Sequence, residues 1–153
     1  MSIKPRELHP HLNRTNFEGK FRNFWYGNPP KLTGSKAITG RLSNEEVVKQ
    51  IHKRVASILK NSVKAKIGVM GDTDVRMDDK VYRRDFVFVE RIFKSKSKET
   101  IRDLEVALIK KYKRSAYKNI LLNISEAKAG RLTTYNGFYY VYVVYSKKHD
   151  ITW

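Results

Sequence analysis

Two hydrophobic periods divide the chain into elements. Ser43 with Glu46 forms a capping box. Val47, Val48, Ile51, Val55, Ile58 and Leu59 then recur at helical spacing. This predicts a helix over 44–60, one apolar stripe inward and Lys49, Lys53, Arg54 and Lys60 outward. Residues 64–70 alternate as a strand. Asp72 or Thr73 then caps a short helix over 73–79. From Phe86 to Phe93 both faces are apolar, with Phe86, Phe88 and Ile92 on one and Val87, Val89 and Phe93 on the other. Such a run belongs in the middle of a sheet. Ser97 caps a helix over 99–114, whose buried stripe is Ile101, Leu104, Leu108 and Tyr112.

Residues 115–135 show no clear period, but Ile120, Leu121, Leu122 and Ile124 are expected to be buried. Asn136-Gly137 is a turn signal, and Phe138–Tyr145 is the strongest strand, every residue aromatic or β-branched. Together these elements predict an α/β fold. A small mixed or antiparallel sheet of three or more strands packs with two main helices.

Residues 1–42 read differently, as a basic arm preceding a single α/β domain over 43–153. All four prolines lie here, with Gly19, Gly27, Gly34 and Gly40. Yet Phe17, Phe21, Phe24, Trp25 and Tyr26 cluster around Lys20 and Arg22. The rings pin an extended arm to the body, or they stack on bases while the cations meet phosphates.

Charge sharpens the choice of partner. Lys and Arg number 32 against 15 Asp and Glu, a formal net charge of +17. Self-repulsion of that size opposes a compact chain unless a polyanion offsets it. Nucleic acid is the expected partner, DNA first and RNA as the alternative. Lys20, Arg22, Trp25, Lys53, Arg54, Arg83 and Arg84 are the candidate contacts. The absence of cysteine excludes disulfides, thiolate zinc sites and cysteine nucleophiles. No apolar run spans a bilayer and no signal peptide opens the chain, so a soluble protein of the cytoplasm or nucleoid, with no membrane partner, is expected.

Candidate chemistry centres on Lys66 to Arg76. A strand carrying Lys66 and Gly68 ends at Gly71, and a helix carrying Arg76 follows. A lysine, two backbone glycines and an arginine at one end of a sheet suit a phosphate. Glu105 lies at the edge of the buried stripe of its helix. It is either a boundary residue paired with Arg102 or Lys110, or a hard oxygen ligand for Mg²⁺.

Lys66-Ile67-Gly68, with Arg76 eight residues after Gly68 and Asp103-Leu104-Glu105-Val106-Ala107-Leu108-Ile109 on a later helix, resembles the second half of the GIY-YIG nuclease signature. Lys66 stands where that family usually has its second tyrosine, and no Gly-Ile-Tyr strand lies just upstream. The similar text is Gly137-Phe138-Tyr139-Tyr140-Val141-Tyr142. A permuted arrangement lays this last strand against 64–70, where Tyr139 or Tyr140 supplies the phenol. The resemblance implies metal-dependent hydrolysis of a DNA phosphodiester. Glu105 would hold Mg²⁺ or Mn²⁺ and Arg76 would stabilise the phosphorane, with Lys66, Tyr139 or Tyr140 orienting or deprotonating water. The alternative is a non-catalytic nucleic-acid-binding, structural or virion protein on the same scaffold.

Overall fold

The computed structural model describes residues 28–71, 80–123, 132 and 134–147. Their elements are β1 (Lys31–Leu32), α1 (Glu45–Lys60), β2 (Ser62–Gly71), α2 (Lys80–Asp85), β3 (Phe88–Ser95), α3 (Lys98–Lys113) and β4 (Tyr139–Lys147). The sheet order is β1-β3-β4-β2. β4 runs antiparallel to both β2 and β3, and β1 is parallel to β3. The expected α/β architecture with two main helices is the one observed. β4 takes the centre, and every residue from Tyr140 to Ser146 is buried. That accounts for its composition, since a strand covered on both sides has no face left for charge.

Alternation along the strands builds two apolar clusters. Ala65, Ile67 and Val69 of β2 with Val141, Val143 and Tyr145 of β4 face α1 and α3, meeting Ile51, Val55, Leu59, Leu104 and Leu108. The opposite cluster holds Met70, Tyr140, Tyr142, Val144 and Val89 with Tyr82 and Phe86. Each large side chain buried this way contributes about 1.5–3 kcal/mol before entropy is counted.

Several local expectations shift. The cap of α1 is Asn44, not Ser43. Its side-chain oxygen accepts from the Glu46 amide at 3.0 Å, and asparagine caps as well as serine. Ser97 caps α3 as expected, accepting from the Thr100 amide at 3.2 Å. Leu121 is buried, Ile120 partly so, but Leu122 is 43% exposed. Leu121 forms a bridge with Ala65, and alternation then sends Leu122 outward.

The expected faces of β3 also change. Val87 lies outside the strand and is exposed, and Phe86 packs beside Tyr82. Within β3 the register steps from Arg91↔Tyr142 to Phe93↔Val141, so Ile92 is an extra residue in a β-bulge. Ile92 and Phe93 therefore both enter the helical core. Arg91 and Lys94, opposite Tyr142 and Tyr140, emerge together on the other face.

Residues 31–38, placed in the arm by the sequence, run along β3. Lys31 and Thr33 amides bond the Val87 and Val89 carbonyls, and Ile38 exchanges bonds with Ile92 and Lys94. The short helix expected over 73–79 and the burial expected for Ile124 fall outside the described residues.

Candidate nucleic-acid interface

Gly68 is not an open phosphate cradle. It is buried, and the ring of its cross-strand partner Tyr142 lies over it. The Tyr142 hydroxyl meets that of Tyr82 at 2.8 Å. Gly71 is likewise buried, opposite Tyr139. Lys66 projects to this same face, its Nζ 5.4 Å from the Tyr82 ring centroid.

The residues expected to act together divide between the two faces of the sheet. Lys66 and Tyr140 share the face that α2 covers in part. Tyr139 packs against the helical core, and Glu105 is buried on α3, whose stripe meets that same core. Among the described residues no three His, Asp or Glu side chains gather as a metal site. Glu105, beside Leu104, Leu108 and Ile109, is therefore not joined by two further acidic or histidine side chains among the described residues. Arg76, Lys20, Arg22, Trp25 and the side chain of Arg83 lie outside the described residues.

Of the other expected contacts, Lys53 is exposed on α1. Arg84 is exposed and paired with Asp85 at 3.2 Å, an acceptor that raises its pKa further above the usual guanidinium value. Arg54 faces inward, contrary to expectation. Its Nη2 donates to Glu90 Oε2 at 2.9 Å, its Nε to the same oxygen at 3.3 Å, and its Nη1 to the Lys36 carbonyl at 2.6 Å. Thr33 adds a hydroxyl bond to Glu90 Oε1 at 3.3 Å. The cation that helical spacing put on an outer face ties residues 33–36 to α1 and β3, because the buried Glu90 carboxylate lies beneath them and needs a partner. Replacing Glu90 with Gln should cost about 2 kcal/mol, through loss of charge-assisted bonds to a partly buried arginine. A urea midpoint unchanged in Glu90→Gln would show that the pair holds nothing.

Asn123 also has a structural task. Its Oδ1 accepts from the Ile67 amide at 2.9 Å and its Nδ2 donates to the Ile67 carbonyl at 2.8 Å. The carboxamide thus imitates a neighbouring strand along the outer edge of β2. On the far side, the Tyr112 hydroxyl lies 3.2 Å from His52 Nδ1. Burial holds the His52 pKa below and the Tyr112 pKa above their ordinary values, and Lys111 and Tyr117 add to these shifts respectively.

The feature that sequence reasoning missed lies at the β3 side of the open face. A cavity of about 540 Å³ is lined by Lys36, Arg91, Lys94 and Tyr140, with Thr33, Ser35 and Thr39 among its other walls and no carboxylate. The Arg91 guanidinium lies 4.4 Å from the Tyr140 ring centroid, and its buried Nε has no hydrogen-bond partner among the described residues. Lys94 and Lys96 flank Phe138 at 4.9 and 5.4 Å, and Lys98 lies 5.5 Å from the Tyr139 ring. The signal was present. Three charges, Glu90, Arg91 and Lys94, interrupt an otherwise apolar strand, and each demands a partner or an opening. Comparison with family models, with curated proteins and with solved structures returns no match to this chain.

Proposed function

We propose that this chain is a nucleic-acid-binding domain that holds the phosphate backbone at the β3–β4 end of the sheet face opposite α1 and α3. The observation that carries the reading is the cavity at that end, where Lys36, Arg91 and Lys94 converge with Tyr140 and no carboxylate. In a chain of net charge +17 such a cluster attracts a polyanion from a distance, and counterion release supplies affinity on contact. The cation–ring contacts hold the long side chains in place, which reduces the entropy lost on binding. Among the described residues no helix is long and apolar enough to cross a membrane.

The test is a titration of labelled duplex DNA across a range of salt. Log affinity should fall linearly with log salt, at about 0.9 per phosphate contacted. Affinity indifferent to salt would remove nucleic acid as the reason for the charge.

A GIY-YIG-like nuclease is the second reading. The antiparallel pairing of β4 with β2 favours it, because it sets Tyr140 on the face of Lys66 as the permuted arrangement asks. Supercoiled plasmid incubated with Mg²⁺, with Mn²⁺ and with EDTA separates the readings. Metal-dependent cleavage that disappears in Arg76→Ala and in Glu105→Gln, with binding retained, would establish the nuclease. Binding without cleavage would leave the first reading in place.

A further inference from the structure

The grip just proposed does not distinguish paired from unpaired strands, but the shape and chemistry around the cavity do. Resting on that reading, we infer that the cavity takes a phosphate of single-stranded nucleic acid while neighbouring bases stack on the rings at its mouth, so that the domain prefers unpaired strands to duplex.

The walls divide the work. Arg91, Lys94 and Lys36 bring three cations, and the Ser35 and Thr39 hydroxyls line the same space. The Arg91 side chain lines the cavity, and the N–H groups of a guanidinium are donors of the kind that phosphate oxygens accept. The contact of the guanidinium with the Tyr140 ring, 4.4 Å from its centroid, holds the arginine at the cavity wall. A concave site bounded by the 33–39 segment admits a flexible backbone, whereas a duplex holds its phosphates on a rigid convex cylinder.

A second observation points to bases. Tyr135 is 93% exposed, the most exposed large hydrophobic side chain among those described. It adjoins Asn136, whose Nδ2 donates to the Tyr140 hydroxyl at 3.4 Å, so it stands in the chain next to the cavity wall. Asn136 Oδ1 also accepts from the Phe138 amide at 2.9 Å and from Thr134, and Gly137 turns with φ of 83°. The turn that presents Tyr135 is thus tied at both ends. An exposed ring gains by stacking on the π-face of a base, which only an unpaired strand offers freely.

The experiment is fluorescence anisotropy of the full chain with labelled oligothymidylate of about 20 nucleotides and with a duplex of the same length. The single strand should bind about tenfold tighter or better. Tyr135→Ala should weaken the single strand about tenfold, leave the duplex unchanged and leave the salt slope unchanged. Arg91→Ala and, separately, Lys94→Ala should each lower the single-strand salt slope by about 0.7. Circular dichroism melts confirm that each variant is folded, and Lys94→Ala keeps the test open if Arg91→Ala is not. Equal affinity for both probes, or a Tyr135→Ala loss shared by both, overturns the inference while leaving the proposed function standing. Failure of both probes to bind at low salt removes the proposed function itself. Thymidine monophosphate that competes as well as the oligonucleotide does, residue for residue, would show a free-nucleotide site and also overturn the inference.

Discussion

Gly68→Ala is expected to destabilise the fold by about 3 kcal/mol, a large cost for one methyl group. The added Cβ would lie 2.5 Å from Cζ and 2.9 Å from Cε2 of Tyr142. Elsewhere a side chain at such a distance swings aside. Tyr142 has nowhere to go, because it is fully buried, sits edge-on to Tyr82 with ring centroids 6.4 Å apart, and holds the Tyr82 hydroxyl at 2.8 Å. Backbone conformation is not the reason for glycine here, since Gly68 does not have a positive φ. The space is. A double-mutant cycle decides the matter. In a Tyr142→Val background the methyl meets no ring, and Gly68→Ala should become neutral or slightly stabilising, as alanine in a strand interior costs less entropy than glycine. The same penalty in both backgrounds would falsify the packing account. Denaturant midpoints at constant m-value give the numbers.

This result bears on what the sequence allowed to be read. A lysine, an isoleucine and a glycine at the end of a strand suggested an open turn for phosphate. The glycine is there because a tyrosine 74 positions later needs room, and no local pattern reports so distant a partner. Helix positions and strand positions were legible because their periods are local. The Ser97 cap, the α3 stripe and the centrality of an all-aromatic and β-branched strand follow from spacing alone. The direction of Arg54 was not legible, because the carboxylate that claims it lies on β3, 36 residues away. Nor was the basic cavity. Strict alternation along β3 puts Arg91 with Phe93 and Val89, and Lys94 with Ile92. The bulge at Ile92 breaks that alternation and groups the two cations on one face. A single unpaired residue therefore decides which candidate site the sheet presents, and a period of two carries no warning of it.

Phe93→Ala tests that bulge and should cost about 4 kcal/mol, the largest loss expected from any substitution considered above. Phe93 is fully buried, opposite Val141 and beneath the Ile38 bridge, so truncation leaves a cavity that rigid neighbours on two sides cannot fill. The informative comparison is with Ile92. Were β3 regular, the two side chains would point to opposite faces, and one of them would look into the polar, solvent-open cavity. Its truncation would then cost well under 1 kcal/mol, as at other exposed positions. With the bulge, both enter the core under α1 and α3, and Ile92→Ala should cost about 2–4 kcal/mol as well. Two large losses at consecutive positions support the bulged register. One large and one negligible loss would restore strict alternation and separate Arg91 from Lys94. Lys94→Ala is the internal control. Its charge faces the cavity and its removal should leave the unfolding midpoint nearly unchanged, so that any loss of binding it causes reads on the interface and not on the fold.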